Sequence, residues 1–62
     1  MDSVTVAFEL MRMELDAEVE NLNTEGAKFF RASMYADAED LIAKGKALQA
    51  FLDKVRALEM EW

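Results

Sequence analysis

Almost nothing in this chain interrupts an α-helix. Its 62 residues include no proline and only two glycines. Alanine, leucine, methionine, glutamate and lysine, which are all good helix formers, make up much of the rest. Apolar residues recur at steps of three and four, which keeps them on one face of a helix. The sequence therefore predicts an all-α protein.

The first apolar stripe predicts a helix over about 3–32. Asp2 or Ser3 is expected to cap it, because either side chain can accept a hydrogen bond from an unpaired amide of the first turn. The members of the stripe are Val4, Phe8, Met11, Leu15, Val19, Leu22, Gly26, Phe29 and Ser33, and it is widened by Leu10, Ala17 and Phe30.

A break at about 32–35 separates this helix from a second one, predicted over about 35–61. Ser33 is the expected N-cap of the second helix, and Asp37 in its first turn suits the positive end of the helix dipole. Its broad apolar face comprises Ala38, Leu41, Ile42, Gly45, Leu48, Leu52, Val55 and Trp62, with Phe51 and Leu58 beside them. Alternatively, Asn23, Thr24 and Gly26 break the first helix, which would give three helices.

Two long helices with a short connection fold back as antiparallel neighbours. With a turn near residue 33, the predicted contacts pair Gly26 with Leu41, Leu22 with Gly45, Val19 with Leu48, Leu15 with Leu52, and Phe8 with Leu58. Surface ion pairs are expected for Asp40–Lys44 and Asp53–Arg56.

From Glu25 onward the chain reads E-G-A-K-F-F-R-A-S-M-Y-A-D-A-E-D-L-I. This segment resembles the helix pair of a tetratricopeptide repeat, with Gly26, Phe29, Tyr35 and Ala38 at its small and aromatic positions. The departures are Ser33 in place of Gly, Gly45 in place of Ala, and Ala50 in place of Pro. The spacing is also similar to the hairpins of microtubule-interacting and transport domains. Both resemblances imply a helical hairpin over about 25–50.

A single hairpin of this size has one narrow seam in which to bury apolar side chains. Short chains usually need disulfides, metals or oligomerisation, and this one has no cysteine and no histidine. Since 53% of the residues are hydrophobic, we expect an antiparallel two-helix hairpin that assembles as a homodimeric four-helix bundle. The residues expected to contact a partner are Phe8, Met11, Leu15, Phe29, Phe30, Tyr35, Phe51, Val55, Leu58 and Trp62.

Charge and composition exclude several classes of function. A net charge of −6 argues against direct binding to nucleic acid or anionic lipid. The apolar stretches are too short to span a membrane, and no signal peptide is recognisable, so a cytoplasmic protein is expected.

Carboxylates are the only abundant reactive groups, and without histidine the pairs Glu14/Glu18 and Asp16/Glu20 are interpreted as a solvated acidic face. We therefore expect no enzymatic activity, and no catalytic residue, cofactor or metal site. The expected function is a helical protein–protein interaction or oligomerisation module. The alternative is a small acidic regulatory or inhibitory binder that docks on a basic protein surface.

Two aromatic features bear on assembly. Phe29 and Phe30 are neighbours about 100° apart on a helix, so both cannot face the same seam, and one is expected to face a partner. Trp62 ends a segment that still reads as helix. Either its ring docks near Val4 and Phe8 of its own or a partner chain, or the helix continues into a further domain.

Overall fold

A computed structural model describes residues 2–62. Within that range the chain forms two α-helices and no β-strand: α1 is Ser3–Arg31 and α2 is Tyr35–Glu61. The two helices pack against each other, which confirms the prediction of an all-α hairpin. The three-helix alternative is wrong, since α1 runs unbroken through Asn23, Thr24 and Gly26.

Asp2 caps the start of α1. Its side chain accepts a hydrogen bond from the backbone N–H of Thr5 at 2.8 Å, which confirms one of the two predicted N-caps. The same hydrogen bond stabilises the carboxylate and lowers the pKa of Asp2 below its ordinary value.

The prediction that Ser33 caps α2 is wrong, because Ser33 closes the end of α1 instead. Its φ of 62° lies in the left-handed region. Its N–H donates to the carbonyl of Phe30 at 3.0 Å, and the N–H of Met34 donates to that of Phe29 at 2.9 Å. This paired arrangement is a Schellman motif, which satisfies carbonyls that the ending helix leaves free. The N-cap of α2 is Met34, whose side chain makes no capping hydrogen bond.

Replacing Ser33 with glycine should therefore stabilise the hairpin. A residue with a Cβ is disfavoured in the left-handed region, whereas glycine adopts it freely. Allowing for the greater freedom of glycine in the unfolded chain, we expect a gain of about 1 kcal/mol, or roughly 4–8 °C in Tm for a domain of this size. Thermal melts at one chain concentration measure it. Ala32→Gly, at a φ of −84°, is the control that should give no gain; an unchanged or lower Tm for Ser33→Gly would contradict the interpretation.

The core lies in the seam between the two helices and consists only of residues from the predicted stripes. The buried residues are Phe8, Val19 and Gly26 of α1 and Ala38, Gly45, Leu52 and Val55 of α2. Among the large side chains that the structure describes, Leu52 alone is completely enclosed, with 0% exposure.

Both glycines lie where the helices approach closely. A Cβ on Gly45 would lie 3.6 Å from the Cβ of Leu22, as the predicted pairing requires, and 3.0 Å from Oδ1 of Asn23. A Cβ on Gly26 would lie 3.0 Å from Cγ1 of Ile42, so its nearest neighbour is Ile42 and not the predicted Leu41. Small residues at these positions let the backbones come together.

The hairpin is a single layer of helices. Its Cα atoms span 47 × 16 × 9 Å, and their radius of gyration is 14.4 Å, against about 11 Å for a compact chain of this length. Its accessible surface is 4749 Å², whereas a compact monomer of 7.1 kDa would expose about 4,100 Å². The two broad sides of the layer are therefore both open to contact.

Candidate interaction surface

The broad sides of the hairpin differ because the residues on either side of the seam differ. Phe8 is buried in the seam. At about 100° per residue, Met11 lies about 60° to one side of Phe8, and Arg12 lies about 40° to the other. Leu15 and Asp16 are separated around the helix by the same angle as Met11 and Arg12. One side of the layer is thus lined by apolar residues and the other by charged ones.

The charged side of the layer, which we call the polar face, carries ion pairs that connect the two helices. Nε of Arg12 lies 2.8 Å from Oε1 of Glu59, and its Nη2 donates to Oε2 at 3.2 Å. Nη2 of Arg56 lies 3.5 Å from Oδ1 of Asp16. Neither of these pairs was predicted, because nothing in a linear sequence indicates which charges will meet across an interhelical seam.

Of the two predicted ion pairs within α2, one is present. Nη1 of Arg56 lies 3.8 Å from Oδ1 of Asp53, so that pair is confirmed. Asp40 and Lys44 do not form an ion pair in the part of the chain that the structure describes. Both line a groove with Phe29 and Leu41, which places them beside the apolar side of the layer.

The opposite side, which we call the apolar face, has no such covering. Met11, Leu15 and Phe51 line one groove on it, and Val4 shares a second groove with Met11 and Phe8. Each side chain of the face keeps exposed surface, from half-buried Leu15 to Trp62 at 76%. Its members are Val4, Met11, Leu15, Leu22 and Phe29 from α1 and Leu41, Leu48, Phe51, Leu58 and Trp62 from α2.

Most residues predicted to contact a partner retain surface for it. Phe8 and Val55 do not, because they are buried within the seam at 9% and 6% exposure; both belong to the core of the hairpin. The predicted residues that keep exposed surface on the apolar face are Met11, Leu15, Phe29, Phe51, Leu58 and Trp62. The structure therefore groups six of the predicted residues on one side of the layer.

Phe30 and Tyr35 lie apart from that group. Their rings pack edge to face across the turn, with centroids 5.1 Å apart, and both remain more than half exposed. Phe29 and Phe30 do point in different directions, as their spacing requires: Phe29 is half-buried beside Leu41, and Phe30 turns toward Tyr35.

Trp62 docks at the open end of its own hairpin. Its ring meets that of Phe8 edge to face at a centroid distance of 6.4 Å. The predicted neighbour of Phe8 was Leu58. The aromatic contact of Phe8 is instead with Trp62, about one helical turn further along the chain. Most of the indole surface stays exposed, at 76%.

The acidic side chains are distributed around the layer. No group of three or more potential metal-binding side chains converges within residues 2–62. Glu14 and Glu18 line the groove that contains Met11, Leu15 and Phe51, so they border the apolar face. Neither α1 nor α2 is long and apolar enough to cross a membrane.

No family model, curated protein or solved structure matches this chain. The resemblance of residues 25–50 to a single tetratricopeptide repeat therefore stays a prediction.

Proposed function

We propose that this chain is a homodimerisation module, in which two copies bury their apolar faces against each other as a four-helix bundle. The observation that supports it is the contrast between the two sides of one layer. Ion pairs such as Arg12–Glu59 span the polar face, whereas no apolar side chain of the opposite face is buried. Stable domains generally consist of at least two packed layers, and a second copy supplies the missing one.

The exposed area suits an interface of this kind. The hairpin exposes roughly 650 Å² more than a compact monomer of its mass. A standard protein–protein interface buries about 800 Å² on each partner. In this role the chain needs no catalytic residue, metal or cofactor, and its function is to hold two copies of itself together.

The alternative role as an acidic binder would use a different surface. It depends on exposed carboxylates such as Glu9, Glu14 and Glu20, which attract a basic partner over a distance and make binding sensitive to salt. Those carboxylates do not account for the apolar face, so a second copy of the chain is the better-supported partner.

Two methionines of α1 provide a matched test. Met11 belongs to the apolar face and is 42% exposed; Met13 is 60% exposed and lies about 160° away around the helix. Met11→Glu would bury two carboxylates in each dimer and should weaken association on the order of a hundredfold. Met13→Glu adds the same charge outside the interface and should leave association unchanged. Analytical ultracentrifugation over a micromolar concentration series measures both.

The wild-type chain should sediment at twice 7.1 kDa. A monomer with a sharp melting transition would overturn the proposal, and salt-sensitive capture of a heterologous partner by that monomer would support the acidic binder instead. Equal effects of the two methionine variants would show that the apolar face is not the interface.

A further inference from the structure

The charges that border the apolar face differ between the helices. Glu14 and Glu18 of α1 line its central groove, so the border of α1 is acidic there. On α2, Lys44 lines the groove at Phe29 together with Asp37 and Asp40. Lys54 lies three residues after Phe51 and four before Leu58, which places it beside both on the helix surface. The border of α2 is therefore acidic near the turn, at Asp37 and Asp40, and basic at Lys44 and Lys54.

Two identical layers that stack through one face can be related by a twofold axis in either of two directions. If the axis runs along the helices, both turns lie at the same end, and α1 of one copy packs on α2 of the other. If the axis runs across the helices, the turns lie at opposite ends, and each helix packs on its own counterpart.

From these charges we infer that the axis runs along the helices, so that α1 packs on the partner's α2 with both turns at one end. This inference rests on the proposed homodimer and specifies its arrangement. Rotation about an axis parallel to the helices does not shift a residue along that axis. In this arrangement, residues that are opposite each other within one hairpin therefore also lie at the same height when they belong to different copies. The contacts inside one hairpin therefore predict which charges meet between two.

Three pairs of opposite charges then lie within about one turn of each other along the bundle. Gly45 lies opposite Leu22 and Asn23, and Lys54 is nine residues further from the turn, so Lys54 is level with Glu14 and about one turn from Glu18. The same contact places Lys44, which is adjacent to Gly45, within one turn of Glu25.

The third pair is near the turn. Ala38 and Ile42 surround Gly26, so Asp40 between them is level with Gly26 and within one turn of Lys28. Stacked copies would bring Glu18 close to the partner's Lys54. Glu25 and Lys28, which form an ion pair with each other at 3.2 Å within α1, would face the partner's Lys44 and the partner's Asp40 and form a larger charge network. The twofold axis makes each contact twice.

The other arrangement juxtaposes like charges. Glu18 lies close to the middle of α1, so an axis across the helices would place it against its own symmetry mate. Lys44 and Lys54 lie on either side of the middle of α2, so Lys44 of one copy would approach Lys54 of the other. Like charges placed opposite each other at an interface disfavour that arrangement.

Cysteine cross-linking distinguishes the two arrangements, and the described chain has no cysteine of its own. The full chain is prepared as Glu18→Cys and, separately, as Lys54→Cys; the two are mixed and treated with a short bismaleimide. The expected product, identified by mass spectrometry, joins position 18 to position 54. A product that joins 18 to 18 would overturn the inference.

Charge reversal gives a second readout in solution. Glu18→Lys alone and Lys54→Glu alone should each raise the dimer Kd roughly tenfold, whereas an equimolar mixture of the two variants should pair with nearly wild-type affinity. If Lys54→Glu instead tightens self-association, the lysines meet each other and the axis runs across the helices. A wild-type mass of 7.1 kDa would refute the proposed homodimer itself, whereas a dimeric mass with 18–18 cross-links refutes only this arrangement.

Discussion

Leu52→Ala is expected to leave the chain largely unfolded at 25 °C. Within residues 2–62, Leu52 is the only large side chain with no exposed surface, and removing a buried leucine side chain typically costs about 2–5 kcal/mol. A single core in a chain this short rarely supplies more than about 3–5 kcal/mol in total. Urea titration followed by circular dichroism at 222 nm should therefore show loss of most or all of the folded baseline.

The matched control for this variant is Leu10→Ala. Leu10 is 56% exposed and belongs neither to the seam nor to the apolar face, so the same truncation should change the unfolding free energy by less than about 0.5 kcal/mol. Equal losses for the two variants would mean that the helices do not pack through the seam described above.

Gly26→Leu should be the most damaging enlargement in the seam. Even a Cβ at this position would lie 3.0 Å from Cγ1 of Ile42 and 3.6 Å from the backbone oxygen of Ala38. Ile42 is β-branched and has few rotamers with which to give way. We expect the helices to be forced apart near the turn, at a cost of about 1–3 kcal/mol measured by urea unfolding at constant chain concentration.

Gly45 offers an informative contrast. The atom nearest to its added Cβ is Oδ1 of Asn23 at 3.0 Å, the end of an exposed side chain that can rotate away. Gly45→Ala should therefore gain most of the ~1 kcal/mol by which alanine exceeds glycine in helix propensity. If Gly45→Ala destabilised the chain as much as Gly26→Leu, the distinction between a rigid and a movable neighbour would be wrong.

Much of the fold followed from local information. Apolar residues at steps of three and four predicted both helices and the residues that they bury, among them Phe8, Val19 and Gly26 in α1 and Gly45, Leu52 and Val55 in α2. Such periodicity works because a helix turns by about 100° per residue whatever its surroundings. The cap at Asp2 was equally local, since its hydrogen bond closes within three residues.

Local information was misleading at the turn. Serine is a common N-cap, and Ser33 stands just before a run of acidic residues that suits a helix start. The chain instead uses the backbone of Ser33 to finish α1, in a conformation that serine does not favour. The type of a residue between two helices does not show whether that residue will cap the start of the second helix or terminate the first.

By itself the sequence determined that there would be two amphipathic helices, which residues would form their shared seam, and that apolar side chains would be left over. Only the tertiary structure decided where those remaining side chains lie. Packing turned Met11, Leu15 and Phe51 to one side of the layer and joined Arg12 to Glu59 on the other. The physical reason is that periodicity specifies directions around one helix, whereas the neighbours across a seam depend on how two helices are rotated and aligned against each other.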